Sequence, residues 1–324
     1  MKAITVSKFG DENVLIYGEA DIPEPGEYEV RILVKAAGVN PVETYIRAGK
    51  YGALPNLPYT PGSDAAGVVD KLGPCAKGFA LGDRVWIAAA LARRNTGTYA
   101  EYLVCDVGAI RPLPETVSFA EGAGLGTPGL AAACALFSRA ALRARETVLV
   151  HGASGGVGTL AIQLARRAGA IVLATAGDAA GEKLVRELGA HMTFDHNLDG
   201  YLDEISQASG DGPNVIVEML ADVNLAKDLS ILAVRGRTVI VGSRGKMEFD
   251  PRTVMMKDGS ILGMLLSNMS PEDFCRNMAI LTAGLESGMK VVVTDEVPLA
   301  EASRAHALVA KGGRHGKVVL TAGS

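Results

Sequence analysis

The run Val148-Leu149-Val150-His151-Gly152-Ala153-Ser154-Gly155-Gly156-Val157-Gly158 holds the residues with the clearest chemistry in this 324-residue chain. An apolar β-type stretch turns through clustered glycines into a helical pattern, Leu160-Ala161-Ile162-Gln163-Leu164-Ala165. A strand, a glycine turn and a helix N-terminus together make a site for a pyrophosphate. Glycines let backbone N–H groups approach the phosphates, and the helix dipole favours their charge. The spacing is Ala153-x-Gly155-x-x-Gly158, with alanine at the first position of G-x-G-x-x-G. The bare string is a weak signal, and the flanking strand and helix make it a strong one.

In such a unit, an Asp or Glu about 20 residues beyond the turn holds the ribose 2′-OH of NAD. Here the second strand ends Thr175-Ala176-Gly177-Asp178. The strand-end position is read as Ala176, small and neutral, which leaves room for a 2′-phosphate. NADPH is therefore expected over NADH. Asp178 is read as the cap of the following helix. The basic candidates for the phosphate are Lys183 and, more remotely, Arg314 and Lys317, each by default a solvated surface charge.

These residues need elements to position them. Before about residue 120 the chain reads as short strands, at 2–8, 28–36, 65–72, 84–87 and 99–104. Turn signals at Pro25-Gly26, Pro61-Gly62 and Leu81-Gly82-Asp83 separate them. This predicts a small β-rich domain. After a helical pattern over 130–141, strands at 147–151, 171–176, 192–195, 214–219, 238–242 and 260–266 alternate with helical segments. That alternation predicts a parallel sheet covered on both faces, of the doubly wound dinucleotide type. A helix near 272–283 precedes β patterns at 291–293 and 317–321, which are expected to rejoin the first domain. The expected fold is α/β, with domains of 1–122 plus 268–324 and of 123–267.

Composition narrows the class. Hydrophobic content of 48% and charged content of 21% fit a globular protein. A net charge of −4 gives no general attraction to nucleic acid. No apolar run approaches the ~20 residues of a membrane span. The start, Met1-Lys2-Ala3-Ile4-Thr5-Val6, reads as a strand rather than a signal peptide, so a cytoplasmic location is expected. Cys75, Cys105, Cys134 and Cys275 form no C-x-x-C pair, and the five histidines show no metal-ligand spacing.

The chain resembles the medium-chain dehydrogenase/reductase superfamily, and within it the zinc-free quinone oxidoreductases of the ζ-crystallin type. Four segments carry the resemblance: Gly38-Val39-Asn40-Pro41-Val42-Glu43-Thr44-Tyr45-Ile46-Arg47, Pro58-Tyr59-Thr60-Pro61-Gly62-Ser63-Asp64, the glycine turn, and Glu218 to Leu225 with Val241-Gly242-Ser243-Arg244-Gly245. The resemblance implies a GroES-like catalytic domain completed by the C-terminus, an inserted Rossmann domain, and an active site in the cleft between them. It implies NADPH contacts at Tyr45, Ser154, Gly155, Gly156, Val157, Gly177, His196, Asn224, Val241, Gly242, Ser243 and Arg244.

Zinc-dependent relatives place a ligating Cys where this chain has Asn40 and a His where it has Ser63. Neither Asn nor Ser is a usual zinc ligand. The expectation is metal-free reduction of an acceptor that is already electrophilic, an ortho- or para-quinone. Asn40 and Tyr45 are the catalytic candidates, an amide and a phenol able to donate to a developing oxyanion. Their default roles are a turn cap before Pro41 and simple packing. Two alternatives stay open: an NADPH-dependent reductase of enones or enoyl thioesters, and an NADPH-binding structural protein with the affinity for AU-rich RNA that the resemblance includes. The apolar strand at 260–266 reads as a sheet edge, which predicts a homodimer or homotetramer.

Overall fold

The computed structural model describes residues 1–88 and 97–322. It divides into two compact units, Met1–Pro128 with Leu285–Ser324, and Gly129–Gly284. The boundaries expected from sequence, 122/123 and 267/268, both fall earlier in the chain than these. The helix Pro271–Glu286 accounts for most of the second difference: Asp273 and Asn277 on it face Ser138 Oγ at 3.3 Å, within the second unit.

The elements of the first half are β1 (Lys2–Thr5), β2 (Ile16–Glu19), β3 (Glu29–Val39), α1 (Pro41–Arg47), β4 (Asp64–Leu72), β5 (Arg84–Ile87), β6 (Tyr102–Asp106), β7 (Ile110–Pro112) and α2 (Phe119–Ala133). The second half adds β8 (Thr147–Val150), α3 (Gly156–Arg167), β9 (Ile171–Ala176), α4 (Ala179–Glu187), β10 (Met192–Asp195), α5 (Tyr201–Ser209), β11 (Val215–Glu218), α6 (Ala221–Ile231), β12 (Arg237–Ile240), α7 (Pro251–Met255), β13 (Ser260–Gly263), α8 (Pro271–Glu286), β14 (Val293–Pro298), α9 (Ala302–Lys311) and β15 (Lys317–Thr321).

In the first unit seven strands form one sheet in the order β14-β15-β3-β4-β5-β7, with β6 also paired to β3. The long strand β3 alternates inward and outward, and Val30, Ile32 and Val34 reach its core. Gly38 lets α2 lie on β3, because a Cβ there would come within 2.3 Å of the Ala123 carbonyl. The helix expected over 130–141 begins earlier, at Phe119, and continues as a π-helical turn over Cys134–Arg139. Its glycines and alanines leave a weak apolar stripe, which hides a helix start from a periodicity argument.

The second unit holds a six-stranded sheet, β10-β9-β8-β11-β12-β13, with every pair parallel. Relabelled from its first strand the order is 3-2-1-4-5-6, the doubly wound dinucleotide arrangement. The α/β class expected from sequence is what the fold shows. Val148, Leu149, Val150, Ile216 and Val217 are fully buried, as strands covered on both faces require. Among the described residues, no helix is long and apolar enough to cross a membrane.

Candidate functional site

The candidate nucleotide site lies along the C-terminal ends of the parallel strands. β8 ends at Val150, and Gly152 then turns the chain at φ +53°. Its N–H donates to Thr175 Oγ1 at 3.1 Å, and that of Ala153 to the Thr175 carbonyl at 2.9 Å. The turn is thus pinned to the end of β9. α3 then starts from an extended Gly155 with no side-chain cap. By contrast, Asp178 caps α4 by accepting from the Gly181 N–H at 2.7 Å, and Asp250 caps α7. The first-turn donors of α3 are therefore left for a ligand. A Cβ on Gly158 would lie 2.5 Å from Ala153 Cα, so glycine is required for α3 to approach the turn. An uncapped helix start and this close-packed glycine fit a pyrophosphate.

Gly177 follows β9, and His196 follows β10. A Cβ on Gly177 would meet His196 Nε2 at 3.0 Å, and Asn197 Nδ2 donates to the Gly177 carbonyl at 2.8 Å. Ala176 is buried and ends β9, as read from sequence. Asp178 spends its carboxylate on the α4 cap. Asn224 lies in the first turns of α6, and Val241 to Arg244 follow β12. Asp222 ties these last two segments together, its Oδ1 accepting from the Arg244 N–H at 2.8 Å and from Ser243 Oγ at 3.2 Å. Gly242 is held against β11, where a Cβ would sit 2.5 Å from the Met219 carbonyl. Ser154 to Val157, Gly177, His196, Asn224 and Val241 to Arg244 therefore share one edge of one sheet.

Two of the three basic candidates for the phosphate are occupied elsewhere. Arg314 pairs with Asp295 at 3.0 Å. Lys317 is buried in the first unit, its ammonium donating to Asn40 Oδ1 at 2.6 Å and the Val39 carbonyl at 2.7 Å. Lys183 remains exposed on α4, 4.0 Å from Glu187.

The first unit places Tyr45 and Asn40 differently. Tyr45 on α1 is 37% exposed, while Asn40, just before α1, is only 3% exposed. Asn40 Nδ2 donates to Asp64 Oδ2 at 2.8 Å and Glu43 Oε1 at 3.2 Å. Both amide hydrogens are thereby used, and the oxygen is taken by Lys317. The expectation that Asn40 donates to an oxyanion is corrected: its donors are spent within the protein. Around it, burial raises Glu43 and Asp64 above the usual carboxylate range, Asp64 reinforcing the effect at Glu43. Burial also lowers Lys317, opposed by Asp64 and Glu43. Ser63 contributes its N–H to Glu43 Oε1 at 2.9 Å. Tyr99 Oη donates to Glu43 Oε2 at 2.8 Å and lies 3.2 Å from His306 Nε2.

Sequence reasoning missed a second polar cluster, beneath the nucleotide edge. His151 Nε2 lies 2.8 Å from Asp228 Oδ1 and 3.7 Å from Glu218 Oε2. All three side chains are buried. Burial pushes Glu218 up to about 7; His151 pulls it down and Asp228 pushes it further up. Burial alone would lower His151, but the hydrogen bond and charge of Asp228, then Glu218, raise it overall. The one signal in the sequence was a histidine inside an otherwise apolar strand end, Val148-Leu149-Val150-His151.

Comparisons with known proteins agree with this fold. Residues 26–115 match the alcohol dehydrogenase GroES-like domain, and residues 156–283 the zinc-binding dehydrogenase family. A crystal structure described as an NAD-dependent alcohol dehydrogenase superposes with a TM-score of 0.91 at 30% identity over 100% of both chains. A mycobacterial protein solved in complex with NADPH superposes at 0.88 and 30% identity, covering 99% of each chain. Fold and nucleotide edge define a pyridine-nucleotide-dependent oxidoreductase of the medium-chain dehydrogenase/reductase class. The mouse quinone oxidoreductase is 46% identical over 326 residues, which span 99% of this chain and 97% of that protein. The chain belongs to the quinone oxidoreductase family.

Proposed function

We propose that this protein reduces quinones with NADPH and without a metal. The observation that carries the reading is the Asn40 environment. Where zinc-dependent relatives need lone pairs, this chain offers amide hydrogens already bound to Asp64 and Glu43, and a lysine ammonium on the remaining amide oxygen. An amide whose oxygen is taken by an ammonium offers zinc no ligand, since zinc prefers thiolate, imidazole and carboxylate. An acceptor that needs no Lewis acid, such as a quinone, suits it.

The first unit is assigned as the GroES-like catalytic domain and the second as the nucleotide-binding domain. NADPH supplies the reducing equivalents when bound. Ser154 to Val157 hold its pyrophosphate, and Gly177 and His196 border its adenosine. Asn224 and Val241 to Arg244 line the rest of the edge. The spent carboxylate of Asp178 and the neutral Ala176 favour NADPH over NADH. Tyr45, exposed on α1, donates its hydroxyl to the quinone oxygen that gains charge. Asn40 acts as a buried strut beneath α1. Solvent protonates the reduced quinone. The exposed Met255 and Met256 and the sheet-end strand β13 support pairing with a second copy of the chain, which light scattering tests.

The test is steady-state NADPH oxidation by chelator-treated enzyme against ortho- and para-quinones, enones and enoyl thioesters, with NADH run in parallel. The reading expects quinone turnover to dominate and NADPH to be preferred. Dominant turnover of an enone or enoyl thioester, equal kcat/KM for the two nucleotides, or a strict need for zinc would each overturn the corresponding part.

A further inference from the structure

The cluster of His151, Glu218 and Asp228 sits under the nucleotide edge and touches both of its central segments. At one end the Gly152 N–H donates to Thr175 Oγ1 at 3.1 Å, and Thr175 Oγ1 lies 3.4 Å from His151 Nδ1. His151 Nε2 reaches Asp228 Oδ1 at 2.8 Å. At the other end Glu218 Oε1 accepts from the Leu220 N–H and from Asn224 Nδ2, the latter at 3.2 Å. One gap interrupts the chain of contacts. Glu218 Oε2 and Asp228 Oδ2 are buried with no hydrogen-bond partner. Two carboxylates cannot bond to each other, whereas a carboxyl and a carboxylate can. The acid groups of Glu218 and Asp228 lie within 4.8 Å of each other, and a proton held between them closes the chain.

We propose that Glu218 is a positioning residue whose buried proton, shared with Asp228, joins the glycine turn to Asn224 and holds both in the shape that binds NADPH. This inference rests on the NADPH reading above. With the proton present, Glu218 is neutral and leaves Asp228 as the partner of His151. Without it, the charged Glu218 repels Asp228 in a buried site and moves away from it. Glu218 Oε1 then no longer holds Leu220 and Asn224 in register. The charged and titratable groups facing the cluster are His151 from the end of β8, Asp228 and Lys227 from α6, and Tyr201 from α5. Burial raises Tyr201, reinforced by Asp228 and Glu218, so it stays neutral across the neutral range. Glu218, which burial pushes up to about 7, gives up its proton near neutrality. By linkage, whichever state binds NADPH better takes up or releases that proton on binding.

The Kd for NADPH is measured by fluorescence titration from pH 6 to pH 9 in the wild type and in Glu218→Gln. The glutamine is a fixed copy of the protonated state, its Nε2 donating to Asp228 and its Oε1 accepting from Leu220 and Asn224. Wild-type affinity is expected to fall about tenfold over this range relative to Glu218→Gln, equivalent to a coupling of one pH unit. Titration of the nucleotide itself is common to both proteins and cancels in the ratio. Wild-type protein is also titrated by infrared spectroscopy, where the buried carboxyl band should disappear over the same range. This arm does not depend on how the variant folds. Parallel Kd profiles, a carboxyl band absent at pH 6, or a stoichiometric divalent ion lost on the substitution would overturn the inference. Failure to bind NADPH at any pH would instead overturn the cofactor assignment.

Discussion

Lys317 Nζ lies 2.6 Å from Asn40 Oδ1, across 277 residues of sequence, and both side chains are buried. The contact fixes which way the Asn40 amide faces. Its oxygen points to the ammonium, so its two hydrogens point to Asp64 and Glu43. Lys317 is also the cation that balances those carboxylates. Replacing it by Met is expected to destabilise the protein by about 3–5 kcal/mol, the usual cost of leaving one side of a buried ion pair uncompensated. Urea denaturation at neutral pH measures this. A loss under about 1 kcal/mol would show that the ammonium does not carry the charge balance.

Gly158 packs α3 against the turn it follows. A Cβ there would meet backbone atoms of Ala153 at 2.5–2.7 Å, and backbone cannot swing aside as a side-chain end can. Gly158→Ala should therefore lower stability by about 1–3 kcal/mol. It should also weaken NADPH binding by at least about tenfold, because the turn must shift. Calorimetry and fluorescence titration separate the two effects. Full retention of affinity would remove the turn from the pyrophosphate site.

His306 predicts an acid-side weakness. Burial and the neighbouring Arg47 push it down to about 3, so the folded protein holds it neutral. The unfolded chain takes up a proton near the ordinary value of 6.5. Its contribution is therefore complete above pH 6.5 and is lost progressively as pH falls from there toward 3. The ceiling is about 5 kcal/mol, from a shift of that span at ~1.4 kcal/mol per unit. In His306→Gln, which keeps a partner for Tyr99, the decline in stability between pH 6.5 and 4 should be shallower. Other carboxylates titrate alike in both proteins, so identical slopes would show that His306 contributes nothing to it.

Tyr45 offers a separable test of catalysis, because its side chain is exposed and no core depends on it. Tyr45→Phe should lower kcat/KM for a fixed quinone about 10- to 100-fold, the range for losing one oxyanion donor. Thermal stability should stay within about 0.5 kcal/mol of wild type. Asn40→Ala should do the opposite in part, with stability falling alongside rate, since it breaks the strut. Equal kinetics for Tyr45→Phe and wild type would leave the hydroxyl without a catalytic part.

The sheet of the second unit was legible because its signals are local. Short apolar runs between helical patterns read as buried strands, and β8, β9 and β11 fall where those runs lie. The glycine turn and the cap at Asp178 are equally local, since a few neighbouring residues settle each. The helix α2 was placed late because glycine and alanine carry little amphipathic signal.

The polar clusters could not be found this way. A lone lysine, aspartate or histidine in a sequence reads as surface, and becomes buried only where distant partners satisfy it. Lys317 looked like a candidate for a cofactor phosphate, and packing made it the partner of Asn40. His151 and Asp228 are 77 residues apart, and nothing near either in the chain announces the other. Periodicity and turn chemistry record what each segment prefers alone. Which charges share a buried site depends on how strands 277 residues apart are brought into register, and only the folded chain supplies that.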